Sequence, residues 1–157
     1  REPGIVGALL IDDRLRFALI ADGIHVHPAV LQMVVAAKGS DGITLISDAI
    51  SATGMPPGEY KLGDLDIIVD GESSRLVQTG GLAGSVLTLD RAVRTMVNSA
   101  NCSVSDALKM ASYIPAQTIG VNSKGKLVNG YDADIVILDS SLHVWMTIIG
   151  GEIVYRA

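Results

Sequence analysis

The order of apolar and polar positions in the first third of the chain predicts a strand, a helix and a second strand. Residues 15–21 (LRFALIA) form a short, nearly continuous apolar run, which is typical of a buried strand. Pro28 suits the first turn of a helix, which we expect to continue to a stop at Gly39. Residues 42–49 (GITLISDA) are rich in β-branched side chains and predict the second strand. This succession implies parallel pairing through a right-handed crossover.

The pattern changes in the middle of the chain. Residues 58–77 alternate between apolar and polar positions around an Asp-Gly pair, which predicts a β-hairpin inserted into the α/β scaffold. A glycine-rich loop (TGGLAGS, residues 79–85) then leads into an amphipathic helix (LTLDRAVRTMVNSA). A further helix begins near Ser103, which has capping-box spacing to Asp106, and PAQTIG adds a short final turn.

After Gly120 the chain is expected to form short antiparallel strands separated by Asn-Gly, Asp-Ser-Ser and Gly-Gly turns. We therefore divide it into an α/β part, residues 1–122, and a β part, residues 123–157. Small isolated sheets are marginally stable, so we expect the β part to pair with strands from elsewhere.

Composition and charge narrow the class of protein. The chain is 48% hydrophobic and 18% charged, which excludes a disordered protein, yet no apolar run is long enough for a membrane span. The net charge of −5 gives no general case for nucleic-acid binding. The single cysteine excludes an intrachain disulfide framework and a cysteine-rich zinc site. We expect a cytoplasmic protein.

Aspartates follow both predicted parallel strands, Asp22 the first and Asp48 the second. Active sites of parallel α/β folds form at the carboxyl ends of strands, so both are candidates for catalysis. The alternative is that each aspartate caps a helix or shapes a turn.

Two of the three histidines, His25 and His27, lie two residues apart. On a strand they would point to the same face, as metal ligands can, but the preceding Asp22-Gly23 pair places them in a loop. Pro28 assigns His27 to a helix start, and two histidines fall short of the usual three or four ligands. A histidine at a strand end is also suited to binding an anionic substrate.

Two further features are candidates for ligand binding. The TGGLAGS loop matches neither a Walker loop nor G-x-G-x-x-G, but its backbone N–H groups are able to surround a ligand. Arg1, in REPG, carries a guanidinium that matches phosphate oxygens. An ordinary turn and a surface arginine are the alternatives.

Six segments in order carry a family resemblance: REPG, ADGIHVHP, ISDA, LAGSVLTLDRAVR, MASYIPAQTIG and GKLVNGYDADIVILD with a later Gly-Gly pair. They resemble the N-acetylglucosamine-6-phosphate deacetylases of the amidohydrolase superfamily. The resemblance implies a (β/α)8 TIM barrel and a small β-sandwich domain built from both chain ends. A whole barrel needs about 250 residues. We therefore expect the C-terminal portion: strands seven and eight with their helices, and the last strands of the small domain.

The resemblance also implies roles for individual residues. Asp48 matches the general base and general acid of a metal-dependent hydrolysis that yields glucosamine 6-phosphate and acetate, and it is a possible metal ligand. The divalent metal, zinc by expectation, would have its principal ligands upstream of Arg1, so the segment alone is expected to be inactive. Arg1 matches a phosphate contact, in some members across a homodimer interface. The other residues that match contacts to the phosphorylated amino sugar are Asp22, Gly23, Ile24, His25, Leu82, Ala83 and Gly84.

Two rival functions remain open from the sequence. Another amidohydrolase, dihydroorotase-like or deaminase-like, would also carry Asp48 and the C-terminal β motif. A non-catalytic sugar-phosphate-binding module would keep Arg1 and His25 without a proton shuttle.

Overall fold

The computed structural model describes residues 2–157, so the predicted phosphate contact Arg1 lies outside the described residues. The helices are α1 (Gly4–Ile11), α2 (Pro28–Lys38), α3 (Leu89–Ser99), α4 (Val104–Ala111) and α5 (Tyr113–Thr118). The strands are β1 (Phe17–Leu19), β2 (Ile43–Leu45), β3 (Gly58–Leu62), β4 (Leu65–Val69), β5 (Ser74–Leu76), β6 (Ile135–Leu138), β7 (Val144–Ile149) and β8 (Glu152–Arg156). No helix among residues 2–157 has the length and apolarity to cross a membrane.

The predicted strand–helix–strand unit is present. Strands β1 and β2 pair in parallel, with Phe17 opposite Ile43 and Leu19 opposite Leu45. Helix α2 connects them and begins at Pro28, where the imidazole Nδ1 of His27 accepts a hydrogen bond from the Ala29 N–H at 3.2 Å. His27 is therefore a helix cap, as the sequence predicts.

The inserted β segment contains one strand more than the predicted hairpin. Strands β3, β4 and β5 form an antiparallel meander with two turns, one at Asp70-Gly71 and an earlier one at Gly63-Asp64. The earlier turn was missed because the alternation of apolar and polar residues continues on both sides of it. Helix α1 was also not predicted, because its sequence is apolar on every side and has no helical period.

Two apolar clusters stabilise these elements. The larger lies between the parallel strands and helices α2, α3 and α4, and its most deeply buried side chains include Leu31, Ile43, Met96 and Met110. The smaller lies under the meander and joins Ile67 and Val69 to Ala83 and Val86. The second cluster matters for the site because it fixes the glycine-rich loop to the inserted sheet.

The C-terminal strands β6, β7 and β8 form an antiparallel sheet, as predicted. Among its residues only Met146 belongs to the buried core, whereas Trp145, Ile149, Ile153 and Val154 are exposed. The exposed apolar side chains are consistent with additional partner strands, which stay a prediction.

Candidate active site

The two parallel strands end at the same edge of their sheet. The Ile46 N–H donates to the Leu19 carbonyl at 3.1 Å, which extends the pairing by one residue past β2. The chain then leaves β1 into the segment that holds Asp22 and His25, and leaves β2 into the segment that holds Asp48. The two predicted aspartates therefore follow adjacent strand ends, where sites of parallel α/β folds form.

Asp22 and His25 form a tightly bonded pair. The buried Asp22 carboxylate accepts hydrogen bonds through Oδ1 from the N–H groups of Ile24 (2.9 Å) and His25 (2.8 Å). Its Oδ2 lies 2.7 Å from the His25 Nδ1, and the imidazole is 20% exposed. Gly23, at φ 78°, allows the tight turn between them. This contact favours the His25 tautomer that carries its proton on Nδ1, which leaves Nε2 to meet a ligand.

The environment of Asp22 keeps it ionised. Burial on its own would raise the pKa of this carboxyl, but the hydrogen bonds from the His25 side chain and from the N–H groups of His25 and Ile24 outweigh burial. The pKa of Asp22 therefore lies below its ordinary value. Asp22 therefore shapes a turn, which is the alternative given above to a catalytic role, and it also orients His25.

Asp48 has a different environment. Its backbone is in the left-handed region, at φ 50°, which is uncommon for a residue other than glycine. Its side chain is exposed and accepts no hydrogen bond from residues 2–157. The N–H of the next residue, Ala49, donates instead to Ser47 Oγ at 3.3 Å. The carboxylate is thus free to act on a ligand and is not occupied by capping.

The glycine-rich loop contacts the backbone of this segment. Gly84, at φ 60°, lies so close that an added Cβ would be 2.4 Å from Ile50 Cγ2 and 3.3 Å from the Asp48 carbonyl oxygen. On the other side, the Ala83 N–H donates to the Ser74 carbonyl at 3.0 Å, and Leu82 forms a bridge with Arg75. The structure therefore brings Gly84 against the backbone of Asp48, whereas Leu82 and Ala83 contact the inserted sheet.

One residue of this region received no role from the sequence. Ser85 is 1% exposed and hydrogen bonds to the segment around Asp48, 38 residues earlier in the chain. Its place at the end of the glycine-rich segment TGGLAGS gave only the signal of a turn.

The described residues do not form a complete metal site. Among residues 2–157, no group of three or more His, Cys, Asp or Glu side chains is arranged to hold a metal ion. His25 is bonded to Asp22 and His27 caps α2, so the histidine pair is not a metal-binding unit. Asp48 remains as one carboxylate ligand at most, which is too few for tight binding.

Comparison with known proteins gives a consistent result. The family model described as Amidohydrolase family matches residues 9–154. The chain is 46% identical over 153 residues to N-acetylglucosamine-6-phosphate deacetylase of Lysinibacillus sphaericus, covering 98% of this chain and 39% of that protein. It is 44% identical over 154 residues to N-acetylgalactosamine-6-phosphate deacetylase of Escherichia coli O157:H7, covering 98% of this chain and 40% of that protein.

A solved structure agrees with these relatives. The crystal structure of N-acetylglucosamine-6-phosphate deacetylase from Thermotoga maritima superposes with a TM-score of 0.91 at 38% identity, covering 98% of this chain and 42% of that chain. The predicted α/β fold, part of an amidohydrolase TIM barrel with further β strands, is confirmed. The chain spans about two fifths of the length of these relatives.

Proposed function

The chain belongs to the amidohydrolase family, and from that premise we propose that it carries the proton-transferring and sugar-binding residues of an N-acetylglucosamine-6-phosphate deacetylase. The reaction is the hydrolysis of the acetamido group, which gives glucosamine 6-phosphate and acetate. Relatives that bear this name at 42–46% identity support the proposal. The structural observation that carries it is the free Asp48 carboxylate at the edge where the Asp22–His25 pair also lies.

Asp48 has the properties that this chemistry needs. As general base it accepts a proton from the water that attacks the acetamido carbonyl carbon, so that a carbon–oxygen bond forms. As general acid it returns the proton to the nitrogen while the carbon–nitrogen bond breaks and the amine departs. A carboxylate that shares no hydrogen bond with residues 2–157 can perform both steps without first losing a partner.

The substrate contacts follow from the remaining geometry. His25, oriented by Asp22, presents Nε2 to the sugar or its phosphate. Leu82, Ala83 and Gly84 are proposed sugar contacts, and of these Gly84 lies against the backbone of Asp48. Gly23 and Ile24 are proposed contacts from the turn that follows β1. Arg1 is proposed as a phosphate contact on the sequence pattern alone, including its action across a homodimer interface.

Metal binding is proposed to require more than these residues. Amidohydrolases generally use a divalent metal, and zinc is the expectation here. Because residues 2–157 supply at most Asp48, the other ligands would come from outside this segment, and residues 1–157 alone would be inactive. An assay of the segment with and without zinc tests this point, since robust deacetylation by it alone would contradict the proposal. The cytoplasmic location stays part of the same proposal.

The sugar epimer gives a second candidate substrate. A relative at 44% identity is named for N-acetylgalactosamine 6-phosphate, which differs from the glucosamine compound only in the orientation of one hydroxyl group. The same Asp48 chemistry serves both substrates, so both belong in the test.

The decisive experiment is a substrate panel with the complete protein. Acetate release is measured from both acetylated hexosamine phosphates, and turnover is measured for a cyclic amide and an aminated base. We expect turnover of an acetylated hexosamine 6-phosphate and none of the other two. Turnover of the cyclic amide or the aminated base alone would favour the other amidohydrolases, and phosphosugar binding without turnover would favour a binding module.

A further inference from the structure

We propose that Ser85 is a positioning residue that sets the backbone conformation of Asp48 and thereby the direction of its carboxylate. The inference rests on the proposed function, because it gives Asp48 its catalytic role. It adds a residue that the family resemblance did not assign.

Ser85 bonds both peptide groups that flank the Asp48 Cα. Its hydroxyl donates to the Ser47 carbonyl, which belongs to the peptide group before Asp48. Its backbone N–H donates to the Asp48 carbonyl at 2.8 Å, which belongs to the peptide group after it. The orientations of these two groups define φ and ψ of Asp48, so one residue holds both torsions.

Further hydrogen bonds, made by the hydroxyl and the carbonyl of Ser85, fix the position of Ser85 itself. The hydroxyl oxygen accepts the Leu87 N–H at 3.0 Å, which orients its proton toward Ser47. The Ser85 carbonyl accepts the Ile50 N–H at 2.9 Å and the Thr53 hydroxyl at 3.3 Å. Ser85 is also 1% exposed, so water does not compete for these bonds.

The backbone of Asp48 depends on the two hydrogen bonds from Ser85 for two reasons. Its φ of 50° is uncommon for a residue other than glycine, and although aspartate tolerates it better than most, surrounding contacts help to keep it. In addition, no hydrogen bond from residues 2–157 fixes its carboxylate, so the backbone alone sets the Cα–Cβ direction from which the carboxylate extends. Loss of the Ser85 hydroxyl would release the peptide group before Asp48 and let the carboxylate move away from the reacting water.

A second buried serine provides a matched control. Ser74, on β5, is 0% exposed, and its hydroxyl has no hydrogen-bond partner among the described residues. Its contact with the glycine-rich loop runs through its carbonyl, which a change to alanine leaves intact. Ser85→Ala and Ser74→Ala therefore remove the same buried atom from the same region, one with two hydrogen bonds and one with none.

The test measures acetate release from the substrate identified in the panel, using the complete protein. We expect Ser85→Ala to lower kcat about 10- to 100-fold with KM little changed, the usual cost of a misplaced catalytic group. Ser74→Ala is expected to leave kcat unchanged. In an Asp48→Asn background, Ser85→Ala is expected to lower kcat no further, because its effect passes through Asp48.

The outcomes separate this inference from the proposed function. Unchanged turnover in Asp48→Asn would refute the proposed function itself. A large loss in Asp48→Asn together with unchanged kcat in Ser85→Ala would overturn only the positioning role. A full further loss in the double variant would also overturn it, since that indicates a general structural effect. If Ser85→Ala fails to fold, Ser85→Cys, which keeps a weak donor of similar size, replaces it with the same expectations at a smaller loss.

Discussion

At the scale of single residues, Asp22 shapes a turn and also holds the side chain of His25, the proposed substrate contact. It accepts two backbone N–H groups and also holds the His25 imidazole at 2.7 Å. We expect Asp22→Asn to raise KM for the phosphosugar by about tenfold or more, because a hydrogen bond to a charged group is worth about 1.5–3 kcal/mol. Asn cannot fix the proton on His25 Nδ1 as a carboxylate does.

Asp70 is the matched control for this change. Its Oδ1 accepts the N–H groups of Glu72 (2.9 Å) and Ser73 (2.6 Å) in the same kind of turn, without a histidine. Asp70→Asn is expected to weaken its turn and leave KM unchanged. Equal KM values for the two variants would contradict the orienting role of Asp22.

The lowered pKa of Asp22 also makes a prediction about stability. Because its pKa in the folded protein lies below the ordinary 3.8, ionisation of Asp22 stabilises the fold above that pH. This contribution is lost as the pH falls from about 4 through the lower, folded-state pKa. We expect the free energy of unfolding to fall less steeply below pH 4 in Asp22→Asn than in the original protein. Denaturant unfolding at several pH values measures both slopes, and identical slopes would be evidence against the pairing.

Gly84 tests the contact between the glycine-rich loop and Asp48. An added methyl group would meet the stiff Ile50 side chain at 2.4 Å. We expect Gly84→Ala to destabilise the protein by about 1–3 kcal/mol and to lower kcat, because the backbone of Asp48 must shift. Gly80→Ala separates backbone strain from the contact with Ile50, since Gly80 has a similar φ of 70° but no atom within 4 Å of an added Cβ. A kcat loss equal in both variants would contradict the contact.

The sequence predicted residues and local features better than contacts between distant segments. The sequence predicts both ends of α2, because they depend on residues that are neighbours along the chain. The same holds for the cap at Ser103, whose Oγ accepts the Asp106 N–H at 3.1 Å. The hydrogen bond from the Ser85 hydroxyl to the Ser47 carbonyl, next to the positive φ of Asp48, joins residues 38 positions apart. No pattern within one segment contains that information, so only the fold reveals it.

At the scale of elements, the β3–β5 meander packs against the glycine-rich loop of the candidate site through its own small core. Ile67, on β4, is 0% exposed and packs with the residues that hold the glycine-rich loop. We expect Ile67→Ala to cost about 2–5 kcal/mol of stability through the cavity it leaves, and to lower kcat as the loop loosens. Thermal unfolding and acetate release measure the two effects.

The neighbouring Ile68 is the control on the same strand. It points to the other face of the sheet and is 47% exposed, so Ile68→Ala should change stability by less than about 1 kcal/mol. If Ile67→Ala were as mild as Ile68→Ala, the meander would have no supporting role.

At the scale of the whole molecule, the α/β part and the C-terminal sheet contribute unequally to the candidate site and to the core. The α/β part brings Asp22, His25, Asp48 and the glycine-rich loop to one edge, whereas the C-terminal sheet buries little and leaves apolar side chains such as Trp145 exposed. The division at residue 122 stays a prediction, as do partner strands for this sheet.

The central claim is that Asp48 is the proton-transferring carboxylate of a phosphosugar deacetylase. The most direct test is the kcat for acetate release by the complete protein carrying Asp48→Asn, compared with Asp64→Asn, which changes an exposed aspartate in the turn between β3 and β4. We predict a loss of about 10²–10⁴-fold for Asp48→Asn, the usual contribution of acid–base catalysis, and none for Asp64→Asn. An Asp48→Asn protein with the kcat of the original protein would contradict the account.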